Sequence, residues 1–212
     1  MKLFATVTAL AALLGTASLA DNNEIFVAQS GNNNNIGTAA DPLEQVGTQN
    51  LIDVTQSGNE NTVAKARQAG AQHDMNVAQS GNRNLFQNVR QRGGDNNEMV
   101  IRQSGNDNRI VNANQFGNSN LLDVRQGGND NYGHSLQKGD QNTMVVRTNG
   151  HRNEYRMAQG SFNANDCTGC DIELTQGGND NLANVYQMDL NQMASINQSG
   201  NGNTVYTSQS AN

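Results

Sequence analysis

Residues 120–131 read Asn120-Leu121-Leu122-Asp123-Val124-Arg125-Gln126-Gly127-Gly128-Asn129-Asp130-Asn131. Asn120, Leu122, Val124 and Gln126 fall on one side of an extended chain, and Leu121, Asp123 and Arg125 on the other. Alternation over about six residues is the signature of a β-strand with one buried face. Gly127-Gly128-Asn129 then supplies residues that accept positive φ, so the strand should end in a tight turn. Asn50-Ile52-Val54-Gln56, Asn97-Met99-Ile101-Gln103 and Asn153-Tyr155-Met157-Gln159 repeat the pattern.

Working outward, a phrase close to Gln-Ser-Gly-Asn-x-Asn heads a series at Gln29, Gln56, Gln79, Gln103, Gln126, Gln176 and Gln198. Thr148-Asn149-Gly150-His151-Arg152-Asn153 is a degenerate copy in the one gap. A weaker series lies between, at Gln45, Gln68, Gln91, Gln115, Gln137, Gln159, Gln187 and Gln209. The chain thus divides into eight two-part units of 22 to 24 residues, two of them enlarged by insertions near 36–44 and 163–170. Regular internal repeats decide the architecture before any local propensity does.

Two strands and two turns make one coil, and neither strand can bury its inner face alone. The expected fold is an all-β β-solenoid over residues 21–212, with about eight coils stacked at roughly 4.8 Å each. Its apolar interior should hold Ile25, Val27, Ile52, Val54, Met99, Ile101, Leu122, Val124, Met144, Val146, Tyr155, Met157, Ile172, Leu174, Val185 and Val205. Both glutamine series, with Asn61, Asn84, Asn108, Asn131, Asn153, Asn181 and Asn203, should point inward as amide ladders. An amide both donates and accepts, so identical residues in register bond to the coils above and below. This accounts for a composition of 36 Asn and 20 Gln against 4% aromatic residues, which otherwise resembles a disordered chain. One unit fits poorly. Gly133 and Ser135 take inward positions while Tyr132, His134 and Leu136 face out, which predicts a weak coil or a one-residue register slip.

The first twenty residues read as a cleavable export signal: Lys2, an apolar run from Leu3 to Ala17, and Ser18-Leu19-Ala20 before Asp21. That run is too short to span a bilayer, so a secreted chain without a membrane anchor is expected. A formal charge of −6 argues against a nucleic-acid partner. In an exported chain, Cys167 and Cys170 are expected to form a disulfide, with redox or metal roles as the alternatives. The glycine-asparagine turns place Glu60, Arg83, Asp107, Asp130, Arg152, Asp180 and Gly202 at equivalent positions, which a calcium ladder would not tolerate. His73, His134 and His151 occupy unrelated places in their units. No catalytic constellation or cofactor motif is expected. Pro42 sits in an insertion rather than on a strand, and neither end coil has a capping proline, lysine or covering helix, so end-to-end strand pairing into an open filament is predicted. The other possibility is a monomeric secreted solenoid that binds polysaccharide, a cell surface or ice through its outer face.

Heads of the form Gln-x-Gly-x-x-Asn, followed by an apolar-x-apolar-x-Gln strand, resemble the repeats of the curlins, the secreted subunits of bacterial curli fibres. The likeness covers about residues 23–209. It implies self-assembly into an extracellular functional amyloid serving biofilm matrix and surface adhesion. It also implies a nucleator or other curlin-like subunit as partner, and export through an outer-membrane pore with accessory proteins.

Overall fold

The computed structural model describes residues 22–160 and 166–210. The expected signal segment lies outside them, as does part of the second insertion. The first coil holds β1 (Glu24–Ser30), β2 (Asn35–Ile36) and β3 (Glu44–Thr48), and the second β4 (Leu51–Asn59), β5 (Thr62–Val63) and β6 (Ala66–Ala71). Then follow β7 (Asp74–Asn82) with β8 (Leu85–Asp95), β9 (Glu98–Asn106) with β10 (Arg109–Phe116), and β11 (Leu121–Asn129) with β12 (Tyr132–Lys138). Coils six to eight are β13 (Thr143–His151) with β14 (Glu154–Gln159), β15 (Asp171–Asn179) with β16 (Leu182–Met188), and β17 (Met193–Ser199) with β18 (Thr204–Ser210).

The first strands of the eight coils form one parallel sheet in the order β1-β4-β7-β9-β11-β13-β15-β17. The return strands form a second, from β18 back to β2, with β3 pairing β6. The molecule is a β-solenoid of eight coils. Register in the first sheet sets Gln56 against Gln79, Gln79 against Gln103 and Gln103 against Gln126. A one-residue slip would turn every inward residue to solvent, so the buried apolar pairs fix this pairing. Among the described residues no helix is long and apolar enough to cross a membrane.

The interior is a narrow file two residues wide per strand. Ile52 and Val54, Met99 and Ile101, Leu122 and Val124, Met144 and Val146, and Ile172 and Leu174 are all fully buried on the first sheet. Each such side chain contributes about 1.5–3 kcal/mol. Tyr155, Met157 and Val185 are buried on the second sheet. Met75, Val77, Val63, Ala66, Phe86, Val89, Ile110, Ala113 and Ala183 complete the core beyond the expected set.

Three expected core residues are not buried. Ile25 is 44% exposed and Val27 43%, although their partners in the next coil, Ile52 and Val54, are at 0%. Val205 is only half-buried. The reason is positional, because an end coil has a neighbour on one side alone.

The coil around Gly133 corrects the expectation of a slip. Gly133 and Ser135 face inward, and Tyr132, His134 and Leu136 lie on the other face. The weak side chains of this coil are compensated from the next one. A Cβ on Gly133 would overlap the ring of Tyr155, so the tyrosine fills the volume left empty beneath it. The register shift lies one coil earlier, between Ile110 and Asn112, where β10 carries an extra residue. The inward residues there are Ile110 and Ala113, three apart, as are Phe86 and Val89 in β8. From coil five onward the inward positions are two apart.

Candidate functional site: amide ladders and open ends

The inward face of each long strand ends in an amide, except on β13, where Thr148 takes that place. In the second sheet the glutamine ladder runs through all eight coils. Gln45 Nε2 donates to Gln68 Oε1 at 2.9 Å, Gln68 to Gln91 at 2.8 Å, Gln91 to Gln115 and Gln115 to Gln137 at 3.0 Å each. It continues through Gln137 to Gln159 at 3.0 Å, Gln159 to Gln187 at 3.2 Å and Gln187 to Gln209 at 2.9 Å. The second N–H of each amide closes its own coil, as when Gln115 Nε2 donates to the Glu98 carbonyl at 2.9 Å. Such satisfied buried amides rigidify the stack, whereas an unpaired one costs about 1–3 kcal/mol.

The first-sheet ladder starts the same way, with Gln29 to Gln56 at 2.7 Å, Gln56 to Gln79 at 2.8 Å, Gln79 to Gln103 at 3.1 Å and Gln103 to Gln126 at 2.9 Å. It then breaks. Thr148 stands between Gln126 and Gln176 and is too short to reach either. Gln126 Nε2 and Gln176 Oε1 are left buried without partners, and Gln176 resumes the chain to Gln198 at 2.8 Å.

The asparagine file Asn61, Asn84, Asn108, Asn131, Asn153, Asn181 and Asn203 works on a different plan. Each Oδ1 accepts the backbone N–H of the next member, as in Asn108 N–H to Asn84 Oδ1 at 3.1 Å. Nδ2 donates forward to a glycine carbonyl in the next coil, as from Asn108 to Gly128 at 2.8 Å. A second file, absent from the sequence expectation as a ladder, lines the opposite turn at Asn50, Asn97, Asn120 and Asn142.

Two residues of other types occupy that second file. His73 accepts the Asn97 N–H on Nδ1 at 3.3 Å, while its own N–H donates to Asn50 Oδ1 at 3.0 Å. Its Nε2 is buried without a partner. Burial lowers its pKa, against the hydrogen-bonding pull of the Ala69 backbone and the charge of Asp95, which both raise it. Cys170 fills the next gap: its N–H donates to Asn142 Oδ1 at 3.0 Å, and Asn142 Nδ2 donates to the Cys167 carbonyl at 2.6 Å. Cys167 and Cys170 are joined in a disulfide, so a covalent clip stands where other coils use an amide. Neither substitution is marked by residue type, although spacing from Asn50 and Asn142 would have located both.

On the outer turns Glu60, Arg83, Asp107, Asp130, Arg152 and Asp180 all sit at φ between 54° and 59°. Arg83 bridges Asp107 and Arg152 bridges Asp180, each through two bonds of 2.7–2.8 Å. These bonds draw both carboxyls below the ordinary aspartate range. His134 is pushed down by burial and by Arg156, and His151 accepts or donates to Asn129 at 3.2 Å in its own turn. No group of three metal-ligating side chains gathers among the described residues.

The two ends are complementary. Each glutamine donates toward the following coil, so Gln29 and Gln45 present Oε1 acceptors that no described residue serves. At the far end Gln198 Nε2 donates only back to the Leu182 carbonyl of coil seven at 3.0 Å, and Gln209 Nε2 only to the Met193 carbonyl of its own coil at 3.0 Å. Asn203 Nδ2 likewise has no glycine carbonyl ahead of it. The strands β1, β17 and β18 have one neighbour each, and Ile25, Phe26, Val27, Met193 and Tyr206 are exposed around them.

Residues 117–147 match the family model of the curlin associated repeat. No curated protein and no solved structure matches the chain. The matched stretch begins in the turn before β11, contains the whole of coil five and reaches into β13. Its strand–Gln–turn–Asn geometry recurs from β4 to β17, with Thr148 in place of the glutamine on β13. The chain carries the curlin repeat, and that match supports its membership of the curlin family.

Proposed function

We propose that the chain is an exported structural subunit that assembles head to tail into extracellular curli-type amyloid fibres. One observation carries the reading. The last coil offers amide donors at Gln198 and Gln209, where the first coil of a second copy would offer acceptors at Gln29 and Gln45. Placing coil one of one copy on coil eight of another continues both glutamine ladders and the asparagine file. It also covers Ile25 and Val27. The contact is heterologous and does not close, so it propagates as an open filament. Curlins are structural fibre subunits, and the same assignment gives this chain the surface-adhesion and biofilm-matrix role. A nucleating subunit and a secretion pore with accessory proteins are then its partners, and residues 1–20 its export signal.

Gly200 supplies the test. In the interior, Gly105 lies at φ +96 and a Cβ there would overlap the Gly128 carbonyl of the next coil. Gly200 has the same backbone, at φ +94, but no coil follows it among the described residues, and a Cβ meets nothing closer than Asn203 Nδ2 at 3.8 Å. Gly200→Ala therefore leaves the monomer folded at a backbone cost of about 1–2 kcal/mol, and its methyl obstructs the carbonyl of an incoming Gly31. Wild-type protein should form thioflavin-positive fibres with a cross-β spacing of about 4.7 Å after a seed-shortened lag. The alanine variant should remain monomeric. Wild-type protein that stays folded and soluble for days would sink the proposal.

A further inference from the structure

The outer face of the first sheet carries a feature that stacking does not use. Arg102, Arg125 and Arg147 occupy the same position on β9, β11 and β13 and stand directly opposite one another in register. All three are exposed. Their spacing is that of adjacent strands, about 4.8 Å. Like charges directly opposite on a sheet are destabilising, and this chain carries a net charge of −6. The column is flanked by Ala78 on one side and Thr175 on the other, so it is confined to coils four to six. Asp123 bonds Arg125 at 3.1 Å and lies 3.6 Å from Arg147, while Arg102 has no ion pair among the described residues. One carboxylate does not neutralise three guanidinium groups.

Beside the arginines runs a second file on the same face, Ser104, Gly127 and Asn149. Gly127 is not in the left-handed region, so its backbone does not require glycine. A Cβ there would be in ordinary contact with Asn149 Oδ1 at 3.4 Å and Ser104 Oγ at 3.6 Å. The missing side chain leaves a notch edged by two polar groups, next to the middle arginine.

We propose that this face is a binding site for a linear acidic polysaccharide, with carboxylate or sulfate groups held by Arg102, Arg125 and Arg147. Sugar hydroxyls enter the notch at Gly127 and bond Ser104 and Asn149. Guanidinium groups suit planar or multi-oxygen anions, which they bind bidentately. Asp123, in the file on the other side of the arginine column from Gly127, can accept from a further sugar hydroxyl. Nucleic acid fits less well. The outer positions of this sheet from β4 to β17 carry no aromatic ring on which a base could stack. Duplex DNA needs more phosphate contacts than three arginines provide.

The experiment uses the full chain on surfaces of polygalacturonate, neutral dextran and duplex DNA. Wild-type protein should be retained on polygalacturonate, released by salt as screened ion contacts are, and pass over dextran. The triple variant R102Q/R125Q/R147Q should lose about tenfold or more in affinity while its thermal midpoint does not fall. R83Q/R109Q/R152Q makes the same change in net charge elsewhere and should bind like wild type. Gly127→Glu fills the notch with a carboxylate and should also abolish retention, which keeps the test decisive if the triple variant misfolds. Equal loss in the charge-matched control, wild-type binding by the triple variant and by Gly127→Glu, or tighter retention on DNA would each overturn the assignment.

Discussion

At the residue scale, the ladder positions differ in how well their occupants imitate an amide. Thr148 fails in length: it leaves Gln126 Nε2 and Gln176 Oε1 unpaired although both are buried. Thr148→Gln should join the two halves of the first-sheet ladder and raise stability by about 1–3 kcal/mol, read as a higher urea midpoint. An unchanged midpoint would show that the gap is not a defect. His73 fails in a different way, since it works only when neutral. Its Nδ1 must keep a lone pair for the Asn97 N–H. Burial lowers its folded-state pKa, against the pull of the Ala69 backbone and Asp95, so the folded chain prefers the neutral ring more than the unfolded chain does. Its contribution is complete above the unfolded value of about 6.5 and is lost as pH falls from there toward the lowered folded value. His73→Asn, whose Oδ1 takes the place of Nδ1, should remove that part of the acid sensitivity. Urea midpoints of wild type and variant should therefore separate further at pH 5 than at pH 7.5, and parallel curves would refute the assignment.

At the scale of strands, the period-two alternation made β4, β7, β9, β11, β13, β15 and β17 legible, because each carries its apolar pair in unbroken phase, followed by a glutamine in all but β13, where Thr148 stands. The return strands were legible only in part. In β8 and β10 an extra residue separates Phe86 from Val89 and Ile110 from Ala113, so a reader counting by twos loses the inner face there. The spacing of twelve between heads announces a bulge but does not say which residue it displaces. The coil at Gly133 was hidden for a stronger reason: its core is supplied by Tyr155, 22 residues later, and the pairing of a small residue with a large one exists only between stacked strands. Burial raises the Tyr155 phenol pKa, with Ser135 the one neighbour drawing it down, and neither hydroxyl makes a hydrogen bond of normal geometry. Gly133→Val should then be strongly destabilising, by about 1–3 kcal/mol or more, because its methyls enter the ring. Adding Tyr155→Ala should restore much of that loss, since the two changes nearly exchange volume between coils. A double-mutant cycle in the urea midpoint measures the coupling, and strict additivity would disprove the pairing.

At the scale of the whole molecule, a coil touches only the coils before and after it, so stability should be close to a sum over coils and their interfaces. The ends follow from the same rule. No sequence feature separates Ile25 and Val27 from Ile52 and Val54, yet the first pair is exposed because no coil among the described residues precedes it in the stack. A nearest-neighbour molecule should also survive the removal of a whole coil, provided the coils brought together are compatible. Deleting residues 97–119 removes coil four and joins Asn96 to Asn120, so that Asn120 takes the place of Asn97, just as Asn96 and Ser119 already occupy equivalent positive-φ places in their turns. Coil five keeps its contact with coil six, and Gly133 keeps Tyr155. Deleting residues 120–141 removes coil five at an equally good junction, Ser119 to Asn142, but it sets Ile110 against Tyr155 in place of Gly133. Both deletions preserve strand phase, both glutamine series and the turn chemistry, so composition does not distinguish them. The first variant should fold into a seven-coil solenoid, with a β-rich circular dichroism spectrum and one cooperative transition. The second should unfold at a markedly lower denaturant concentration, and Tyr155→Ala in that background should recover part of the difference. If both deletions melt alike, the coils are interchangeable and the core is held by its amides alone; a gap between them shows that the apolar file sets the order in which coils can be stacked.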